Sequence, residues 1–256
     1  MNKPLKPLDS DQWHSVMAGS GDAATAARRV EAGYVRAWYD PVLRCTKSGQ
    51  TVIETGSGTG QLSGAIARNG RKTFLLDLSL KNLEFSRSVF KCAGIEGDFV
   101  QADILQRLPF RGGSFDCVFS HGVLEHFSED EIGYIIKESA RVAKSTVISI
   151  VPNAASLAYR IGKRYQENRG KWMYGRETPK YSLKRLFRWA GLVNIREYSI
   201  DPRHSFEFLT MLGDDPAGTI VKKTLNRIPL KVLEALNQGY LLVTVGEKRQ
   251  EVISRG

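Results

Sequence analysis

The chain has 256 residues, of which 42% are hydrophobic and 25% charged, and its formal net charge is +10. These values describe a globular protein of one large domain, or one domain with attachments, and exclude a disordered or fibrous chain. No run of about 18 apolar residues is present, so no transmembrane helix is expected.

The first residues, Met1 to Pro7, lack the apolar core of a signal peptide. Cys45, Cys92 and Cys117 are odd in number and have no metal-ligand spacing. The expected location is therefore the cytoplasm, with reduced cysteines and no metal site. Residues 1–50 precede the first strand and are expected to form an N-terminal helical cap. Within them, a basic and aromatic run over 26–39 predicts one helix stopped near Pro41.

The most informative stretch follows at 51–60. An apolar strand ends in Glu54, and Gly56, Gly58 and Gly60 come at alternate positions before a helical run over 61–68. A strand, a glycine turn and a helix N-terminus make a nucleotide-binding turn. The third glycine comes one residue too early for the dinucleotide fingerprint, and Gln61 stands where that pattern wants Gly or Ala. The Lys and Ser/Thr of a P-loop are missing. A carboxylate at Glu54 is awkward beside a pyrophosphate and welcome beside a cation. S-adenosylmethionine (SAM), with a sulfonium, an ammonium and no phosphate, meets that description.

Residues 72–77 read as a second strand ending in Asp77, placed to grip ribose hydroxyls. Ser79 can cap the helix that follows. A short strand near 99–101 leads to Asp103 and Ile104. Residues 114–121 form an apolar fourth strand that runs into His121-Gly122-Val123-Leu124-Glu125-His126. Ser128 and Glu131 form a capping box, and the β-branched run 145–151 is a buried fifth strand. Residues 154–181 look like an insertion. A helix over 181–191, a strand over 192–200, a helix over 220–237 and a strand over 239–246 complete the pattern. This alternation predicts an α/β fold with a mostly parallel, doubly wound sheet.

The four segments in this order closely resemble class I SAM-dependent methyltransferases, especially those acting on small molecules, including those of quinone biosynthesis. The resemblance covers 51–151 through motifs and 181–248 through pattern. It implies a seven-stranded Rossmann-like sheet and a SAM-binding domain over 51–256. It also implies that Glu54, Gly56, Ser57, Gly58 and Gly60 meet the methionine part, that Asp77 and Leu78 meet the ribose, and that Asp103 and Ile104 meet the adenine. Ser120 and His121 would close over the methionine end.

Methyl transfer needs a general base only if the accepting atom carries a proton of high pKa. His121 and His126 are the candidates, although a buried histidine bonded to backbone is the preferred reading of His126. Between 155 and 190 stand ten basic residues and two acidic ones, a local net charge of +8. Arg169, Trp172, Tyr174 and Arg176 in this basic and aromatic stretch are the candidate acceptor contacts. The expected acceptor is a small anionic or aromatic molecule, and a membrane lipid or RNA ranks behind it. The competing readings are an NAD-type oxidoreductase and a catalytically silent SAM-binding partner protein.

Overall fold

The computed structural model describes residues 6, 8–19, 21–34, 36–210, 220 and 223–249. Seven strands form one sheet: β1 Thr51–Thr55, β2 Lys72–Asp77, β3 Asp98–Gln101, β4 Phe115–His121, β5 Ala143–Pro152, β6 Leu192–Ile200 and β7 Leu241–Lys248. Their order is β3-β2-β1-β4-β5-β7-β6. The strands from β3 to β5 are parallel, and β7 runs antiparallel to both its neighbours. The sheet is thus doubly wound and mostly parallel, as the alternation of patterns predicts. Winding reverses between β1 and β4, and the carboxyl ends of these two strands open the crevice where such sheets hold ligands.

Apolar runs make the central strands because both faces are covered. Ile53, Leu76, Val118 and Val147 pack on one face against Ile132 and Ile136 of α6 (Glu129–Val142) and Phe187 of α8 (Lys184–Trp189). Val52, Cys117, Phe119 and Ile148 pack on the other, against Ala65 and Ile66 of α4 (Gln61–Arg68) and Val42 of α3 (Arg36–Cys45). The expected caps form. Ser79 Oγ accepts from Asn82 N at the start of α5 (Leu80–Ala93), and Ser128 with Glu131 closes the capping box of α6.

The single helix expected over 26–39 is instead two, α2 (Ala23–Glu31) and α3. Gly33 takes a φ of 65°, which ends α2 in the left-handed region that glycine tolerates. Pro41 does not stop α3 but lies inside it. Tyr39, Pro41 and Val42 are all buried, and that burial offsets the one backbone hydrogen bond a proline cannot make. The expected helix over 220–237 is interrupted: residues 220 and 223–225 are helical, the chain leaves the helix over 226–229, and Pro229 opens a helix at Leu230–Ala235; residues 221–222 lie outside the described ones.

The N-terminal helices cross the carboxyl edge of the sheet. From α1 (Ser10–Ala18), His14 Nδ1 meets Asn82 Oδ1 at 3.1 Å, and Trp13 packs edge-on to His126 at 4.7 Å. Residues 154–181 fold as α7 (Leu157–Asn168) followed by a strap. The strap is sewn to the sheet by Lys180 N to Pro152 O (2.9 Å) and to the loop after β4 by Thr178 N to Glu125 O (2.8 Å).

Candidate active site

The glycine turn has the geometry its sequence demands. Gly56, Gly58 and Gly60 have φ of 77°, 52° and 69°. A Cβ on Gly56 would lie 2.6 Å from Val123, and one on Gly60 would lie 2.8 Å from Ser86 and 2.9 Å from Leu75. No side chain fits at either position. The turn is held from below by Gly56 N and Ser57 N, which donate to Leu76 O at 2.7 and 3.0 Å.

Asp77 ties the turn to β2. Its Oδ2 accepts from Gly58 N at 2.8 Å, and its Oδ1 accepts from Ser79 N at 2.9 Å. Burial pushes its carboxyl above the usual range. Oδ1 also accepts from Asn82 Nδ2 at 3.5 Å, while Oδ2 keeps a lone pair for a further donor. Leu78 beside it is 55% exposed, an apolar surface next to the crevice. Glu54 is buried and accepts from Ser63 Oγ of α4 at 2.5 Å. Burial raises its carboxyl to about 8, and the neighbouring Asp77 adds to the shift. Asp103 is half-buried at the end of the β3 loop, with Oδ1 accepting from Leu105 N at 2.8 Å, and Ile104 leans on the core.

Four buried polar atoms have no hydrogen-bond partner around this edge: Ser57 Oγ in the turn, His121 Nε2, Glu125 Oε2 and Trp172 Nε1. A turn of positive-φ glycines, an orphaned Ser57 hydroxyl and the spare lone pair of Asp77 Oδ2 fit a cationic adenosine ligand.

Beyond the turn the lining changes to rings. His121 ends β4, and its ring stacks on Trp38 at 5.0 Å. Burial lowers the His121 pKa to about 4, so it is neutral at pH 7. Trp38 Nε1 donates to Asp201 Oδ2 at 2.9 Å, and its ring meets His204 at 5.2 Å and Tyr240 at 6.1 Å. Tyr240 reaches Tyr159 of α7 at 5.2 Å, Tyr159 reaches Trp172 at 6.4 Å, and Trp172 reaches Tyr174 at 5.2 Å. A continuous wall of rings therefore links the end of β4 to the strap.

Two carboxylates face this wall. Tyr159 Oη donates to Glu177 Oε1. Glu125, only 2% exposed, lies beside Glu177; burial pushes both carboxyls upward, and repulsion from Glu177 adds to the shift at Glu125 and from Glu167 to that at Glu177. His126 Nε2 sits 3.8 Å from Glu125 Oε1. Its Nδ1 donates to Arg176 O at 2.8 Å, so the ring anchors the strap, and burial lowers its pKa to about 4. Glu125, His126 and Glu177 offer atoms within 4.8 Å of one another.

The structure thus brings together Glu54, Gly56, Ser57, Gly58, Gly60, Asp77, Ser120 and His121 at one end of β1 and β4. Ser120 is buried, 3.4 Å from Ser149 through their hydroxyls. Trp172 and Tyr174 join the ring wall. Arg169 does not, because it is exposed with its guanidinium 4.5 Å from the Tyr165 ring. Arg176 is exposed too, and its guanidinium approaches His126 O at 3.4 Å. Sequence reasoning missed Trp38, Glu177 and Tyr240 as site residues, and Tyr159 stood only among the aromatics of the 154–181 stretch. Glu177 also carried a signal, as one of two acids in a basic stretch.

The methyltransferase-domain family matches residues 52–146. The ubiquinone/menaquinone biosynthesis C-methyltransferase of Enterobacter sp. (strain 638) is 24% identical over 194 residues, 66% of this chain and 77% of that protein. Two solved structures share the fold. A SAM-dependent methyltransferase from Archaeoglobus fulgidus has a TM-score of 0.59 and 16% identity, over 84% of this chain and 93% of that one. Phosphoethanolamine N-methyltransferase 2 from Haemonchus contortus, in complex with phosphomonomethylethanolamine and S-adenosylhomocysteine, has a TM-score of 0.57 and 16% identity, over 85% of this chain and 53% of that one. The methyltransferase-domain match, the strand order and the glycine turn make the chain similar to class I SAM-dependent methyltransferases and support a SAM-dependent methyltransferase.

Proposed function

We propose that the enzyme methylates a small aromatic acceptor held against the ring wall between His121 and Trp172. The observation that carries this is the wall itself, which begins at the end of β4 beside the glycine turn. SAM supplies a methyl group on a cationic sulfur, with a neutral leaving group, so the protein mainly has to position the acceptor and exclude water. Glu54, Gly56, Ser57, Gly58, Gly60, Ser120 and His121 hold the methionine part, Asp77 and Leu78 the ribose, and Asp103 and Ile104 the adenine.

The acceptor stacks on Tyr174 and Trp172, and its hydroxyl or amino proton bonds to the Glu125–Glu177 pair. We assign neutral His121, whose Nε2 has no partner among the described residues, as the base for an acceptor that must lose a proton. His126 serves as a support for the strap. Arg169 and Arg176 lie outside the wall, so an aromatic rather than an anionic acceptor is favoured. The quinone-pathway relative agrees in kind with such a ring acceptor.

The test is transfer of labelled methyl from SAM to a panel of phenols, anilines and quinols, set against phosphate-bearing aliphatic amines. Turnover of the ring compounds is expected. Turnover confined to the aliphatic phosphates would contradict the reading.

A further inference from the structure

One face of α7 looks inward, and the opposite face has no evident use in methyl transfer. Leu157 and Ile161, one helical turn apart, are 60% and 46% exposed. Gln238 Nε2 donates to both Ala155 O and Leu236 O, each at 3.0 Å, which seats Leu236 beside the start of α7. Leu236 is 63% exposed. Three exposed aliphatic residues thus lie at this end of the fold, two of them on α7 and the third close to its start.

Arg160 and Arg164 flank them at the i, i+3, i+4, i+7 spacing that puts positions 157, 160, 161 and 164 on one side of a helix. Alongside runs an open groove of about 750 Å³, lined in part by Leu157, Ile161, Arg164, Tyr165 and Pro179. Two carboxylates border the groove, and both are engaged: Glu167 by Lys163, and Glu177 by Tyr159. The stretch 155–190 carries a net +8, most of it on exposed side chains.

We infer that this face docks the enzyme on an anionic lipid bilayer. Exposed aliphatic side chains gain nothing in water. At a bilayer they enter the boundary between headgroups and acyl chains, while long arginines keep their stems in the apolar layer and pair with phosphate. The clustered positive charge adds attraction to an anionic leaflet. An RNA surface would instead offer free rings for base stacking. Here the centre of the patch is aliphatic, Tyr165 is covered by Arg169, and the exposed Tyr181 at its edge is tied through its hydroxyl to Arg160 at 3.1 Å. Docking would bring the bilayer within about one helix diameter, roughly 10 Å, of Tyr159 on the inner side of the same helix. It stands whether or not the acceptor is aromatic.

Vesicle co-sedimentation tests the inference, using phosphatidylcholine alone and phosphatidylcholine mixed with phosphatidylglycerol. The enzyme is expected to pellet with the mixed vesicles at low salt and to be released as salt rises. Replacing Leu157 and Ile161 by Ser, which leaves the charge unchanged, should weaken binding at least about tenfold. Reversing Arg160 and Arg164 to Glu should abolish it. Leu236→Ser, alone on the neighbouring turn, should weaken it about threefold if the double variant fails to fold; an unchanged S-adenosylhomocysteine affinity reports folding. Three results would overturn the inference: no pelleting at low salt, equal binding to uncharged vesicles, or serine variants that bind like the parent.

Discussion

The cofactor half and the acceptor half of this enzyme share one sheet edge but are built differently. The proposed cofactor half comes mainly from the ends of β1, β2 and β3, within residues 51–104, with Ser120 and with His121, which it shares with the acceptor half, and its contacts are mostly backbone. Gly58 N holds Asp77, and two more amides hold the turn to Leu76 O. The acceptor half gathers Trp38, His121, Tyr159, Trp172, His204 and Tyr240 from six separated segments, and its contacts are ring faces and edges. The first half needs particular backbone dihedrals at fixed places. The second needs only rings that arrive together, so its residues can be spread along the chain.

The sharpest way to break this division is to add a side chain to the turn. Gly60→Ala puts a Cβ at a φ of 69° and within 2.9 Å of Leu75 and Ser86. A cost of about 3 kcal/mol in stability is expected, with S-adenosylhomocysteine binding lost as well. Denaturant unfolding checks it, and a loss below about 1 kcal/mol would mean that the turn relaxes easily.

The acceptor half should respond in kinetics. Glu177→Gln keeps a partner for Tyr159 but removes the carboxylate. A fall of about tenfold in kcat/KM for the acceptor is expected, the size of one hydrogen bond to a buried polar group. Steady-state assays at saturating SAM measure it.

Proton linkage separates the halves further. Glu54, raised to about 8 in the free protein, should release a proton when a cationic ligand arrives. Calorimetry of SAM binding at pH 7 without acceptor, in buffers of different ionisation enthalpy, should detect that release, and Glu54→Gln should remove it. On the other side, His121 and His126 have folded values near 4 against an unfolded value near 6.5. Depressed values mean stability that is full above about 6.5 and lost as the pH falls toward 4. His126→Gln should make that acid limb of a melting-temperature profile shallower.

The smallest effect belongs to the basic surface. Because Arg169 lies over Tyr165 and outside the ring wall, Arg169→Glu should leave the acceptor KM within about twofold, as for other exposed charges. A larger rise would return the acceptor to the basic stretch.

The fold was legible because its signals are local. Glu54, the three glycines, Asp77 and the Ser128–Glu131 box each declare a strand end, a turn or a cap within a few residues, and each lies where its pattern places it. Pro41 misled because a local breaker was overridden by burial on the β1–β4 face. The ring wall was illegible for the opposite reason. Nothing near Trp38 in sequence points to Tyr240, and their meeting is a consequence of α3 and β7 covering neighbouring ground. The basic stretch was read as a ligand surface by its composition alone. Its geometry sorts the residues, with Tyr159, Trp172 and Glu177 turned inward and most of the arginines, with Tyr181 and Trp189, outward.

The central claim is that cofactor and acceptor are held by separable sets of side chains. Titration of S-adenosylhomocysteine into the parent enzyme, Asp77→Ala and Glu177→Gln tests it most directly. Asp77→Ala should remain folded and lose affinity on the order of 100-fold, the worth of two hydrogen bonds to an ionised acceptor, while Glu177→Gln should match the parent. Equal weakening by both variants, or an unchanged affinity in Asp77→Ala, would contradict the account.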